Sequence, residues 1–456
     1  MSSSQAPLII SVSGIRGIAG ESLTDEVVRQ FALAFASTLP PGAAVILARD
    51  TRPSGPAFAD VTAAALVQAG CRVMDVGVCS TPGAKLMVLE LGAQAAVILT
   101  ASHNPQPWNG IKLIRDDGIF LNAAQGERVE EAYRAGVSPN AAGGRRESVD
   151  AGDVQRRHLD RVLAAVDVER IQAAGLSAAL DPCNGTGGLL IPELLSELGV
   201  AGHIIHGEPD GQFAHEPEPI PANLRDLGAA VTGNGCAVGF AIDPDADRVA
   251  LVNELGEPVG EDYSLALAVQ AITARRRGPV VTTLSTSQIV SDAAAVNDCP
   301  VTLTPVGEVH VVEAMVAERA VIGGEGNGGV ILTEVDPGRD AAVGVAILLE
   351  ALAESGRSLS AMAGDFPRYA IDKRKVTCSA EALEPAAEGL RQRHGEAFTH
   401  PVSDGIKLYI NGRLECPWVH LRASNTEPIV RVIAESTSAA EAAALCDETE
   451  ALLLDS

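Results

Sequence analysis

The stretch Ala237-Val238-Gly239-Phe240-Ala241-Ile242-Asp243-Pro244-Asp245-Ala246-Asp247-Arg248-Val249-Ala250-Leu251-Val252-Asn253 decides how this chain is read. Apolar, β-branched runs flank a loop that carries three carboxylates on alternate residues, so the segment reads strand, loop, strand. Carboxylates this close repel one another unless a cation sits between them. A solvated acidic turn is a poor account, because apolar residues lead in and out of it. All-oxygen ligation suits Mg²⁺ or Ca²⁺ and not Zn²⁺. Asp243, Asp245, Asp247 and Glu254 stand at four of the ligand positions of a helix-flanked calcium loop. Arg248, however, stands where that loop's sharp turn demands glycine, and strands flank it where helices are required. Mg²⁺ with room for a phosphate oxygen is the better reading.

Working outward, short β-branched runs alternate with Ala-rich helical stretches. Val45–Ala48 and Cys71–Val76 read as strands around a helical Phe58–Ala69, and Ala95–Thr100 is another strand. The alternation predicts an α/β fold of four domains: three α/β units with parallel or mixed sheets, then a smaller C-terminal α+β module. The length of 456 residues allows that number. The expected divisions are 1–150, 151–256, 257–364 and 365–456, with Ala135–Asp153, rich in Gly, Ala, Ser and charge, as the first linker. Unusual motifs fall directly after strands, where α/β folds place ligands.

The first of these is Thr100-Ala101-Ser102-His103-Asn104-Pro105. A hydroxyl on a strand-ending loop can act as a nucleophile or carry phosphate. Adjacent Ser and His point different ways, which is poor geometry for a Ser–His relay, and a surface turn held by Asn104 and Pro105 is the competing account. Gly323-Gly324-Glu325-Gly326-Asn327-Gly328-Gly329 matches a dinucleotide fingerprint in its glycines. The strand-like Val330–Thr333 follows, where pyrophosphate binding needs a helix. Its carboxylate and amide are suited to vicinal sugar hydroxyls instead. Arg422-Ala423-Ser424-Asn425-Thr426-Glu427-Pro428 offers a guanidinium, hydroxyls, an amide and turn N–H groups, the makings of a phosphate cradle. Ser13-Gly14-Ile15-Arg16-Gly17 brings Arg16, and Asn109-Gly110-Ile111-Lys112 brings a lysine close in sequence to Ser102.

Taken in order from Ser13 to Pro428, these loops resemble the α-D-phosphohexomutase family of phosphoglucosamine mutases, phosphoglucomutases and phosphomannomutases. The resemblance covers essentially the whole chain and implies four domains around a central cleft. It implies that Ser102 is phosphorylated in the working enzyme and that its phosphate completes a site for one Mg²⁺ per chain with Asp243, Asp245 and Asp247. The expected catalytic group is Ser102, Lys112, Arg16, His103 and Arg248, with Lys112 a candidate for assisting proton transfer. Glu325, Asn327 and Glu308 would contact the sugar, while Arg422, Ser424, Asn425 and Thr426 would hold the phosphate not being transferred. The implied reaction is reversible phosphoryl transfer between the ends of a hexose phosphate, through a bound hexose 1,6-bisphosphate that also serves as activator. Arg49, Asp50, Arg52 and Ser54 resemble a family turn with a structural role. Three positions depart from the family pattern: Pro244 replaces a common Gly, Asn327 replaces Ser, and Gly329 replaces His. Glu308 stands where phosphomannomutase-like members carry His. Phosphoglucosamine mutase is the expected member, with glucose and mannose phosphates as the alternatives.

Composition narrows the partners. Lys+Arg number 34 against 59 Asp+Glu, a net charge of −25 that repels nucleic acid and anionic lipid. An acidic protein with an anionic substrate needs a local basic patch, which Arg16, Lys112, Arg248 and Arg422 would supply. The eight cysteines show no metal-ligand spacing, and with a polar start (Met1 to Pro7) unlike a secretory signal they point to the cytoplasm. The longest apolar run, Ala341–Leu349, is too short to span a bilayer. The expected partner is a small hexose phosphate, with no nucleic acid and no membrane, bound to a monomer or homodimer.

Overall fold

The computed structural model describes residues 7–11, 14–138, 143–402, 404–424 and 428–455. The chain forms two compact units, residues 1–264 with 328–360 and residues 265–327 with 361–456.

The first unit is built on two mixed sheets. The larger runs Ile9–Ser11, Gly14–Ile18, Trp108–Arg115, Ala95–Leu99, Ala44–Arg49, Arg72–Val78, Arg145–Ser148 from edge to edge. Its central strands are apolar on both faces because helices cover them, and Val45, Leu47, Val97, Leu99, Ile111 and Leu113 pack with Phe31, Phe35 and Phe58 in one core. Each such side chain contributes about 1.5–3 kcal/mol on burial. Gly110 lets neighbouring strands close up: a Cβ there would come within 2.5 Å of the Ile15 carbonyl and 2.8 Å of that of Thr100. The second sheet runs Val249–Val252, Val238–Ile242, Ser177–Asp181, Ala201–Ile204.

One expectation fails here. Within the supposed linker, Arg145–Ser148 is a strand that pairs in parallel with Arg72–Val78, and helix Ala151–Ala164 begins before Asp153. As an exposed edge strand it has no apolar face to signal it. Its polar composition therefore reads as linker.

In the second unit, Val280–Thr283 pairs in parallel with both Val301–Thr304 and Ile322–Glu325. The C-terminal module is a five-stranded antiparallel sheet, ordered Ala370–Thr377, Ile429–Ser436, Trp418–Ala423, Ile406–Tyr409, Phe398–Thr399, with helices Leu383–Arg393 and Ala439–Leu454 on its core. Among the described residues no helix is long and apolar enough to cross a membrane.

Candidate active site

Ser102 lies just past the fully buried strand Ala95–Leu99, with its backbone at φ +50° and its side chain buried. A non-glycine residue held there costs about 1–3 kcal/mol and persists only when its surroundings over-determine it. They do. The Ser102 amide donates to Thr100 Oγ1 at 2.9 Å, and that hydroxyl donates to Asp50 Oδ2 at 2.6 Å. The buried guanidinium of Arg52 donates to the carbonyls of Ser102 (2.7 Å), Asn104 (2.6 Å), Pro105 (2.8 Å) and Trp108 (2.8 Å), while its Nε meets Asp50 Oδ2 at 3.1 Å. Burial pushes the Asp50 carboxyl up, and the charge of Arg52 opposes it. The residues expected to shape a turn therefore clamp the whole Ser102 loop.

The acidic loop joins strands Val238–Ile242 and Val249–Val252, and all three carboxylates have no solvent exposure. Ala246 turns the chain at φ +57°, so that Asp243, Asp245 and Asp247 converge. Their oxygens are not equivalent. Asp243 Oδ1 accepts the amides of Asp247 (3.1 Å) and Arg248 (3.0 Å), leaving Oδ2 to accept from Ser102 Oγ at 3.0 Å. Asp245 Oδ2 accepts from Lys112 Nζ (2.6 Å) and Thr81 Oγ1 (2.6 Å), and Asp247 Oδ2 from Arg339 (2.8 Å) and Lys112 (3.1 Å). Asp245 Oδ1 and Asp247 Oδ1 are buried with no hydrogen-bond partner. Such oxygens are costly to bury unless a cation meets them. Burial and the neighbouring carboxylates Asp247 and Asp245 raise the Asp243 carboxyl well above its ordinary range. The donor set, oxygen only, fits a hard divalent cation, so these three residues could hold a metal ion.

Basic side chains close the cluster. Lys112, on strand Trp108–Arg115, is buried at 4% exposure. Burial opposes its charge but is outweighed by Asp245 and Asp247, so its affinity for the proton rises. Arg248 Nε stands 3.7 Å from Asp247 Oδ1, and Arg16 Nη1 donates to Asn104 Oδ1 at 3.3 Å. His103 Nδ1 is 3.4 Å from Ser102 Oγ, a long contact, and burial with Arg248 and Arg16 nearby pushes its pKa down to about 3.

The remaining residues singled out in the sequence lie in the second unit. Glu325 ends strand Ile322–Glu325 and is buried, and the Gly326 amide of the same loop donates to Thr286 Oγ1 at 3.2 Å. Glu308 opens helix Glu308–Glu318 and is also buried. Asn327 lies two residues beyond that strand. Arg422, on strand Trp418–Ala423, is aimed by Asp404, which accepts from its Nε at 2.7 Å. Asp404 Oδ2 also accepts the Val306 amide at 2.7 Å and so ties the loop before Glu308 to Arg422. The Ser424 amide donates to the Ile429 carbonyl at 2.9 Å, while Asn425 and Thr426 lie outside the described residues.

Sequence reading missed Thr81, Arg339 and Asp404. Thr81 follows the helix cap Ser80, whose hydroxyl accepts the Gly83 amide, and Arg339 precedes the cap Asp340 of helix Ala341–Ser355. Helix caps were the available signal, since both residues sit beside one.

Comparison with known proteins shows the family to which the fold belongs. Family models for phosphoglucomutase/phosphomannomutase match in order: alpha/beta/alpha domain I at residues 8–139, domain II at 156–256, domain III at 260–369, and the C-terminal domain at 378–452. A phosphoglucomutase/phosphomannomutase of Thermococcus kodakarensis is 34% identical over 93% of this chain and 94% of its own length. A phosphoglucosamine mutase of Rubrobacter xylanophilus is 34% identical over 95% and 94%. A solved phosphoglucomutase/phosphomannomutase family protein of Burkholderia thailandensis superposes with a TM-score of 0.83 at 26% identity, covering 98% of both chains. This chain belongs to the phosphoglucomutase/phosphomannomutase family and is a phosphohexomutase, an isomerase-type phosphotransferase.

Proposed function

We propose that this enzyme interconverts the 1- and 6-phosphates of a hexosamine, as a phosphoglucosamine mutase, by way of a phosphorylated Ser102. The observation that carries the reading is Ser102 Oγ, held at φ +50° and 3.0 Å from Asp243 Oδ2 at the edge of three buried carboxylates. Ser102 Oγ gives its phosphoryl group to the free hydroxyl of a hexose monophosphate. The resulting hexose 1,6-bisphosphate turns end for end and returns the other phosphate to Ser102.

Asp243, Asp245 and Asp247 would hold one Mg²⁺, and Asp245 Oδ1 and Asp247 Oδ1, which accept no hydrogen bond, fit that role. A bound Mg²⁺ supplies neutralisation of the charge that phosphoryl transfer spreads over the phosphate oxygens. Lys112 and Arg248 add positive charge from the protein, Arg16 and His103 complete the group around the Ser102 loop, and Lys112 is our candidate for assisting proton transfer. Burial of the reacting hydroxyl excludes water, which would otherwise hydrolyse the phosphoserine. Glu325, Asn327 and Glu308 are assigned to the sugar, and Arg422, Ser424, Asn425 and Thr426 to the phosphate that is not transferred. A charge-based cradle of this kind accepts either phosphate, as the turn requires.

The Rubrobacter xylanophilus relative's name supports glucosamine, while that of the Thermococcus kodakarensis protein favours glucose or mannose phosphates as the second reading. The eight cysteines, all free among the described residues, support our reading that the enzyme works in the cytoplasm. Coupled assays with glucosamine 6-phosphate, glucose 1-phosphate and mannose 1-phosphate, run side by side with Mg²⁺, test the substrate. The highest kcat/KM is expected for glucosamine 6-phosphate, and a higher value for either other sugar assigns the second reading. Stoichiometric release of inorganic phosphate would instead make the protein a sugar phosphatase.

A further inference from the structure

A second cluster in the first unit has the make-up of a cation site. Asp181 ends strand Ser177–Asp181, opposite Ala241 of the neighbouring strand, and is buried. Its Oδ1 is fixed by the Cys183 amide at 2.9 Å. Its Oδ2 faces two imidazoles, His206 Nδ1 at 3.1 Å and His215 Nε2 at 3.0 Å.

The outer nitrogens of both rings also face oxygen. His215 Nδ1 is 2.8 Å from the Glu216 carbonyl, and His206 Nε2 is 4.0 Å from Asp226 Oδ2. A carbonyl only accepts, so His215 carries a proton on Nδ1, and its hydrogen bond to Asp181 pushes the ring's pKa up to about 11. Nε2 therefore faces the carboxylate through a positive centre, either a second proton or a metal ion that displaces it. Two lone pairs at that separation repel unless a positive centre lies between them. His215, with its outer nitrogen on an oxygen and its inner nitrogen on the shared centre, has the support that metal-binding histidines receive. The three donor atoms lie within 4.8 Å of one another. Two imidazoles with one carboxylate suit Zn²⁺, Co²⁺ or Fe²⁺, in contrast to the all-oxygen set of the acidic loop.

The surrounding backbone is held in an unusual form. Cys183, Asn184 and His206 have φ of +48°, +53° and +48°, and the Asn184 amide donates to the His206 carbonyl at 2.8 Å. Between the two histidines, Gly211 packs so closely on the Thr51 carbonyl that a Cβ would come within 2.2 Å of it, and its own carbonyl accepts from Gln106 at 3.1 Å. An ion joining Asp181 to both histidines would brace the segment that supports the end of the Ser102 loop.

We propose that Asp181, His206 and His215 form a second metal site, selective for a first-row transition-metal or zinc dication and independent of the carboxylates at 243, 245 and 247. The test titrates the full-length protein with Co²⁺ in the presence of saturating Mg²⁺, read by visible absorption and calorimetry. One equivalent is expected to bind, with the stronger d–d bands of a nitrogen-containing, low-coordinate site, and Zn²⁺ should displace it. His206→Gln and His215→Gln should each weaken binding about a hundred-fold or more, while Asp243→Asn leaves it unchanged. Histidine ¹⁵N spectra of the unaltered protein should show Zn²⁺ shifting His206 Nδ1 and His215 Nε2, a readout that does not depend on the variants folding. No stoichiometric binding, unshifted ring nitrogens, affinity retained in both glutamine variants, or loss on Asp243→Asn would each overturn the proposal and leave a plain hydrogen-bonded Asp–His cluster.

Discussion

The Ser102–Asp243 cluster of the first unit and the Arg422 loop of the second are both polar and both follow strands, yet they are held in opposite ways. Ser102 is buried, strained and fixed by a guanidinium that satisfies four carbonyls beneath it. Arg422 keeps 28% of its side chain exposed and is aimed by a single carboxylate, Asp404. The contrast matches the tasks proposed for them. A reacting atom must be placed within a fraction of an ångström. A cradle that receives either phosphate needs charge more than exact placement.

The contrast can be broken most severely at Ser102. Ser102→Ala should lower turnover by about 10⁴-fold or more while sugar-phosphate binding changes only a few-fold, as measured by coupled assay and calorimetry. Arg52→Met comes next. It leaves Asp50 buried without its partner, so unfolding in urea should show a loss of about 3–5 kcal/mol. Turnover should fall as the Ser102 loop relaxes, and Arg52→Lys should not restore it, because an ammonium cannot reach four carbonyls. At the other region, Arg422→Ala should lower kcat/KM by about 10–100-fold, mainly through KM, with the urea midpoint unchanged. A large loss of stability there would erase the distinction between the two regions.

The smallest effect concerns what supports Arg339. Asp340 caps helix Ala341–Ser355 and accepts from His158 Nε2 at 2.6 Å, both side chains being buried. Burial opposes charge on His158, but Asp340 outweighs it and raises the pKa above the ordinary value. A base with a raised folded pKa contributes stability that is complete below its unfolded pKa, about 6.5, and is lost as pH rises through the folded value. The stability gap between the unaltered protein and His158→Gln should therefore be roughly 1–3 kcal/mol near pH 6 and shrink under alkaline conditions. A gap that grows with pH would show the pair to be uncharged.

What sequence could reveal here follows from how each feature is encoded. The acidic loop and the Ser102 loop are contiguous, so their residue types and spacing already pointed to a cation and a hydroxyl. The structure adds the 3.0 Å contact between them. Thr81, Arg339 and Asp404 act across long separations in the chain and carry no motif of their own. Lys112 owed its interest in the sequence to its nearness to Ser102 and to the family resemblance. Its burial between Asp245 and Asp247 depends on strand pairing, Lys112 lying opposite Gly14 and Ile98, that no local pattern records. The alternation of strands and helices gave the α/β class, whereas the edge strand Arg145–Ser148 was hidden by its exposure. The Asp181–His206–His215 cluster was missed because its three members are separated by a helix, a strand and a loop.

The central claim is that Ser102 carries the phosphoryl group between the two ends of the sugar. Its most direct measurement is peptide-resolved mass spectrometry of the enzyme after exposure to hexose 1,6-bisphosphate, followed by a chase with hexose monophosphate. The account predicts one phosphoryl group on Ser102 that leaves during the chase and is recovered on the sugar. A turnover-competent enzyme whose Ser102 never gains phosphate, or gains it and does not pass it on, would contradict it.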